Sequence, residues 1–398
     1  MANEVNLNLD PRTFMNIIPE RRAAIEAAPD TPLPTDFPLN RLMRAFHPEL
    51  QHLVIEAVET HDGDAKSYTL VPDRENGTDS LAYFSAGQYV SVLLEIGGSK
   101  LYKPYSIRSS PADAQRRRYI LTVKRSEGGF ASPYILDTWK KGLRVTITGP
   151  EGNFTYEPLR DAKHIVGLAG GSGITPFYSL ARAIADGTED CDLTLLYGSR
   201  MADGILLKDE FDAVCAECGS VKVIHILSDE SRSGFEHGFI TAELIKKYAP
   251  AGDYSLFVCG PQAMYDFVDR EINKLELPPR RVRHELFGQI GNPERYPGYP
   301  PDHVGKTFTL TVHIRAEQRQ FSCSASESLL VALERAGIAA PSRCRSGECG
   351  FCHSRLISGE VYIPPDKDKR READEKYGYI HPCMSFPVSD VALELSMK

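Results

Sequence analysis

The alternation of apolar and polar residues changes character twice along the chain. From residue 50 to about 156 it is short and two-fold. Residues 54–60, 89–94, 119–123 and 145–149 are β-rich runs bounded by Gly, Asp or Pro. Runs of that length and spacing predict a small antiparallel barrel, with one helix over 132–139. From 164 to 287 apolar runs alternate with helical periodicity. The runs at 164–169, 193–198, 221–227 and 255–260 predict strands, and 175–186 predicts an amphipathic helix. That pattern implies a doubly wound α/β domain with a parallel sheet. Residues 288–305 are rich in Pro, Gly and Tyr without periodicity and predict a surface linker. Beyond it, 308–312 and 320–323 predict a hairpin, and 329–336 a helix. The expected domains are therefore an N-terminal extension (1–48), a barrel (49–158), an α/β domain (159–287), a linker (288–305) and an α+β C-terminal domain (306–398).

The extension fits no regular pattern. Residues 19–26 predict a short helix opened by Pro19. Prolines 29, 32, 34 and 38 argue against regular structure after it. No apolar run is long enough to span a bilayer, and the first 22 residues lack the apolar stretch of a signal peptide. The expected location is the cytoplasm.

Composition adds limits. The 398 residues are 42% hydrophobic and 25% charged, with a net charge of −8. An acidic balance argues against nucleic acid as a partner. In a reducing compartment, nine cysteines point to metal rather than disulfides. Cys344, Cys349 and Cys352 form C-x4-C-x2-C, and Cys383 supplies a distant fourth thiol. That is the spacing of a plant-type [2Fe–2S] site. Two irons need four terminal ligands, and Gly347 and Gly350 let the backbone wrap closely. Cys349 to His353 also spells C-x-x-C-H, a haem-attachment pattern, but that reading needs export and leaves Cys344 unused. The stretch from about 306 to 398 resembles the plant-type ferredoxin domain, whose fold is a β-grasp. Of the remaining cysteines, Cys215 and Cys218 read as small thiols on one helical face rather than a redox pair.

Further motifs carry a second resemblance. Lys103-Pro104-Tyr105-Ser106-Ile107-Arg108-Ser109 is similar to the flavin motif R-x-Y-S-x-x-S of the ferredoxin–NADP reductase superfamily. The resemblance implies that Tyr105 stacks on an isoalloxazine and Ser106 hydrogen-bonds near its N5. Lys103, standing where the family has Arg, would give charge to the pyrophosphate. Pro104 and Ser109 belong to the same motif. Gly128-Gly129-Phe130-Ala131-Ser132 feeds a helix N-terminus, whose N–H groups and dipole suit a phosphate. Lys124 and Arg125 add charge beside it. This favours FAD. Gly149-Pro150-Glu151-Gly152-Asn153-Phe154 resembles the turn that ends the family's barrel.

Gly170-Gly171-Ser172-Gly173-Ile174-Thr175-Pro176 is not the Rossmann fingerprint, but it resembles the superfamily's nicotinamide signature. The same resemblance sets Cys259, in Cys259-Gly260-Pro261, beside the nicotinamide. Glu285 and Phe287 stand where relatives close over the flavin. Gly198, Ser199 and Arg200, with Ser228 and Asp229, would form the nucleotide turn. Related NADPH enzymes carry Arg where Asp229 stands, so the expected donor is NADH and NADPH is less suited.

The order of domains resembles NAD(P)H-dependent reductases such as the phenylacetyl-CoA epoxidase reductase and hybrid-cluster-protein reductase groups. It implies an oxidoreductase running NADH → FAD → [2Fe–2S] → a partner redox enzyme, such as an oxygenase. The alternative is an electron-relay subunit of a larger complex without turnover of its own. Arg343 and Arg345 flank Cys344 and suggest a positive cluster face that docks an acidic acceptor.

Overall fold

A computed structural model describes residues 11–28 and 37–395. The N-terminal unit, up to Arg44, contains α1 (Pro11–Glu26) and the start of α2 (Pro38–Phe46). Two expectations for this extension fail. Pro19 lies inside α1 rather than opening a helix, and Pro38 opens α2 where no regular structure was expected. Pro38 sits at the first helical position, where a missing N–H is harmless. Residues 29–36, with the prolines at 29, 32 and 34, lie outside the described residues.

Residues 45–398 form the second unit, built on three main sheets. The first contains β1 (Leu50–His61), β2 (Ala65–Pro72), β3 (Tyr89–Ile96), β4 (Ser99–Ser106), β5 (Tyr119–Lys124) and β6 (Arg144–Thr148). Its order is β4-β3-β6-β1-β2-β5, all antiparallel. A bridge between Ile107 and Leu121 brings the two edges together, giving the expected barrel. Leu53, Ile55, Leu70, Val90, Val92, Leu121 and Ile147 point inward and are buried, as two-fold alternation requires. Between β4 and β5 lies the short helix α3 (Pro111–Gln115). After β5 comes α4 (Ala131–Thr138), which seals the core with Ile135 and Leu136.

The second sheet is parallel throughout: β7 (His164–Gly170), β8 (Asp192–Ser199), β9 (Val221–Leu227), β10 (Glu236–His237), β11 (Ser255–Cys259) and β12 (Val282–Glu285). Its order is β10-β9-β8-β7-β11-β12. The helices α5 (Thr175–Ala185), α6 (Lys208–Glu217), α7 (Ala242–Tyr248) and α8 (Gln262–Asn273) cross between strands. Strands covered on both faces read as unbroken apolar runs, and all five residues of β11 are buried. The order reverses between β7 and β11. Ligands of open α/β sheets bind at such a switch point.

The third sheet has β13 (Thr307–Ile314), β14 (Glu317–Ser324), β15 (Ser354–Ser358), β17 (Tyr379–Ile380) and β19 (Val391–Leu395), ordered β14-β13-β19-β15-β17. A small ladder joins β16 (Val361–Tyr362) to β18 (Phe386–Pro387). Helix α9 (Leu329–Arg335) buries Leu329, Leu330 and Leu333 against the sheet. The Ser328 hydroxyl caps α9 by accepting from the Val331 N–H. The mixed-charge run holds α10 (Glu372–Lys376). The stretch expected as a surface linker is more than that. Ile290 is buried in the third core, and Tyr299 is buried edge-on to Tyr362 with its hydroxyl donating to the Ala325 carbonyl. Its aromatic and aliphatic residues lack periodicity because they fill gaps one at a time. Among the described residues no helix is long and apolar enough to cross a membrane.

Candidate functional site

The four predicted cluster ligands come together. Cys352 Sγ and Cys383 Sγ are 3.4 Å apart. The Cys349 N–H points at Cys344 Sγ (3.4 Å), and the Phe351 N–H at Cys349 Sγ (3.5 Å). His381 Nδ1 lies 2.8 Å from the Gly347 carbonyl oxygen, which seats the segment carrying Cys383 against the loop carrying the other three thiols. Gly347 and Gly350 take positive φ, and so does Arg345 at +61°. These left-handed turns curl the loop round the sulfurs. At Gly347 a Cβ would lie 3.2 Å from the Lys367 carbonyl oxygen, which explains the glycine. Four convergent sulfurs with backbone N–H groups aimed at them fit a [2Fe–2S] group. Cys344, Cys352 and Cys383 are buried, and Cys349 is exposed.

The first four residues of the flavin motif lie in a strand. Lys103, Pro104, Tyr105 and Ser106 end β4, where Tyr105 pairs with Val90 and Ser106 with Tyr89. Tyr105 packs on the barrel core, and burial pushes its phenol well above the usual range. The Lys103 ammonium has no hydrogen-bond partner among the described residues. Burial first, and then the neighbouring Arg345, lower its ammonium to about 7, while Glu334 pulls the other way. Arg345 already takes both oxygens of Glu334, so half-buried Lys103 is left to meet an anionic group such as a phosphate. Ser109 lies beyond the end of β4. Its hydroxyl accepts from the Ile120 N–H, and its carbonyl accepts from the Ser179 hydroxyl of α5. It joins the barrel to the α/β domain.

The glycine turn before α4 is present. Gly129 and Phe130 lead into Ala131 and Ser132, and no side chain caps the helix. Its first N–H groups are available to an anion. Ser132 Oγ instead accepts from the Ser126 N–H. Arg125, expected to add charge here, is held by Asp64 and Asp137. Lys124 Nζ lies close to Gly63 at the far end of β5.

At the switch point, Gly171 and Gly173 form a tight turn into Thr175 and Pro176 at the start of α5, again without a side-chain cap. Gly173 presses on β11, where a Cβ would come within 2.2 Å of the Cys259 carbonyl oxygen. That contact fixes the phosphate-type turn against the Cys259-Gly260-Pro261 segment. Cys259 is paired with Glu285 across β11 and β12. Burial raises both the Cys259 thiol and the Glu285 carboxyl, and Glu285 adds to the shift on Cys259. Glu285 Oε2 has no hydrogen-bond partner. Burial thus favours the protonated form of both groups.

Tyr89 links the two halves. Phe287 meets its ring edge-on at 5.0 Å between centroids. Its phenol is raised by burial, then by Glu151, Cys349, Cys344 and Glu285 in turn. At the nucleotide end, Gly198, Ser199 and Arg200 run beside Ser228 and Asp229. The Ser228 N–H donates to the Ser199 carbonyl, and the Asp229 N–H to the Arg200 carbonyl. Asp229 accepts from Ser228 Oγ (2.6 Å) and Arg200 Nε (2.9 Å).

These three sites, in this order, match three family descriptions. "Oxidoreductase FAD-binding domain" covers residues 52–156, "Oxidoreductase NAD-binding domain" 168–270 and "2Fe-2S iron-sulfur cluster binding domain" 312–388. The ferredoxin reductase component of 3-ketosteroid-9-alpha-monooxygenase from Mycobacterium tuberculosis is 30% identical over 351 residues, 86% of this chain and 94% of the relative. The chain belongs to the FAD- and NAD-binding ferredoxin reductases that carry a [2Fe–2S] domain. The glycine betaine monooxygenase reductase of Pseudomonas aeruginosa is 26% identical over 336 residues, covering 79% of this reductase and 88% of the relative. Among solved structures, phthalate dioxygenase reductase aligns with a TM-score of 0.63 at 28% identity, covering 87% of this reductase and 98% of that chain.

One expectation is overturned by these contacts. Arg343 and Arg345 do not form an open docking face. Arg343 Nε pairs with Glu151 Oε1 at 2.9 Å, and its guanidinium lies 3.8 Å above the Phe351 ring. Arg345 is buried and paired with Glu334. The sequence reading also missed Arg108. Its guanidinium donates to Ser67 Oγ (2.8 Å) and Glu210 Oε1 (3.3 Å) and stands over Tyr178, joining barrel to α/β domain. Its place in the flavin motif is a variable one, so only its partners reveal it.

Proposed function

We propose that the reductase takes a hydride from NADH and delivers single electrons to a protein acceptor, an oxygenase component. The single observation that carries this is the shared environment of Tyr89. Its ring meets Phe287, two residues beyond the strand partner of Cys259, at 5.0 Å, and its backbone bridges Glu151, which pairs with Arg343 beside Cys344. When bound, FAD would accept the electron pair and release it singly, and the [2Fe–2S] group would pass single electrons on.

The chain's own residues would do the rest. Tyr105 and Phe287 would bracket the flavin, and Ser106 would hydrogen-bond at its edge. Lys103 and the first turn of α4 would hold phosphate. The turn 171–176 would seat the NADH pyrophosphate. Cys259 and its strand partner Glu285 would line the nicotinamide site, where burial disfavours charge on either. Cys344, Cys349, Cys352 and Cys383 would hold the cluster, with Cys349 on its exposed side. The monooxygenase systems named among the relatives support an oxygenase as acceptor. With its own nucleotide and flavin sites, the chain reads as an enzyme that turns over rather than a fixed relay subunit. All nine cysteines are free of disulfides, which supports a cytoplasmic location. We place the functional boundaries at 49–158, 159–287 and 306–398.

Cys344→Ser tests the order of carriers. The cluster absorbance should vanish while bound FAD and NADH-dependent dye reduction persist. Loss of dye reduction together with the cluster would refute an NADH–flavin half that works on its own.

A further inference from the structure

Cys344 is held between two arginines, and each is paired with a carboxylate. Arg345 is only 3% exposed and takes a left-handed backbone conformation that non-glycine residues rarely adopt. Its guanidinium reaches three separate segments. It forms a two-point pair with Glu334 at the end of α9, with one bond of 2.7 Å. It donates to Gln289 Oε1 at 2.9 Å, on the connection leaving the α/β domain. It also donates to the Tyr102 carbonyl at 3.3 Å, on β4 of the flavin barrel. Tyr102 precedes Lys103 and lies three residues before Tyr105. The next residue in the loop, Ser346, donates to the Leu286 carbonyl at 3.2 Å. On the other side of Cys344, Arg343 pairs with Glu151 in the turn that ends the barrel.

A buried ion pair serving only the ferredoxin fold would need Glu334 and nothing more. The two further bonds leave that domain, and one ends on the strand that carries the flavin motif. We infer that Arg345 is a positioning residue, which fixes the Cys344 side of the cluster loop against the flavin barrel and so sets the distance for internal electron transfer. The planar five-donor fork suits this role, because a lysine offers no rigid fork to span three acceptors. This inference rests on the electron route proposed above.

The test separates positioning from folding. Arg345→Met alone would strand the Glu334 charge and could unfold the domain. Arg345→Met with Glu334→Met removes both charges at similar volume, a change that buried pairs often tolerate. Arg345→Lys keeps the Glu334 pair but loses the fork. The full-length protein, loaded with FAD and cluster, is mixed with NADH, and flavin and cluster bleaching are followed separately. We expect normal cluster content and unchanged flavin reduction in both variants, with cluster reduction slowed at least about tenfold. Amide exchange over 99–106 and 329–335 should quicken in the double variant. Cluster reduction at the wild-type rate would overturn the inference, as would equal slowing of flavin and cluster. Failure of the wild type to reduce its cluster from NADH would instead overturn the electron route itself.

Discussion

A carboxylate and a guanidinium on neighbouring strand ends bear on which nicotinamide fits. Hydrogen bonds from Ser228 and then Arg200 hold the Asp229 carboxyl below its ordinary value, so it is ionised at neutral pH. It repels a 2′-phosphate and can accept from a ribose 2′-OH. The Arg200 guanidinium is already paired with this carboxylate. Asp229→Arg should therefore shift the kcat/KM ratio of NADPH to NADH upward by at least about tenfold, the factor carried by ~1.4 kcal/mol. An unchanged ratio would show that the turn does not set the preference. At this scale legibility tracks sequence distance. The cluster cysteines were readable because three ligands share one loop with fixed spacing. Arg345 was not, because its barrel partner lies 243 residues away. A residue flanking a ligand reads equally well as a docking charge or an internal clamp.

Elements were readable where one face of a strand or helix repeats, and unreadable where function disturbs the repeat. β7, β8, β9 and β11 stand at the expected places because buried parallel strands are continuously apolar. β4 was missed as a strand because Lys100, Lys103 and Pro104 break the alternation. Proline is tolerated there because β4 lies at an edge of its sheet. β2 was missed for its mixed Ala-Lys-Ser-Tyr-Thr-Leu-Val-Pro composition. The turn into α5 was legible as a glycine motif, but its reason is packing. Gly173→Ala would drive a Cβ into the Cys259 carbonyl, and neither backbone can move cheaply. We expect a loss of about 1–3 kcal/mol in denaturant unfolding. The KM for NADH should rise while FAD content holds. An alanine variant with wild-type stability and KM would mean that the turn and β11 are free to separate.

Across residues 45–398, the sequence pattern reports each sheet and is silent about the seams between them. Arg108 joins barrel to α/β domain, Arg345 joins barrel to ferredoxin, and the Arg343–Glu151 pair closes the same seam beside the cluster. In that pair only Glu151 Oε1 meets the guanidinium, and Oε2 is buried without a donor. Burial therefore outweighs Arg343, and the Glu151 carboxyl is raised to about 7 from an ordinary 4.5. The sign follows from proton counts. Between about 4.5 and about 7 the unfolded chain has released this proton while the folded chain still holds it. Folding stability from Glu151 is thus fully present below 4.5, falls as pH rises through that window, and is level above it. Glu151→Gln keeps a neutral side chain of the same shape at every pH. The wild type should lose more stability than the variant between pH 5 and pH 8, with the larger share lost before pH 7. Denaturant midpoints of both proteins across that range are the measurement. Parallel curves would mean that Arg343 holds Glu151 ionised throughout, and that the seam beside the cluster is a salt bridge rather than a protonated contact.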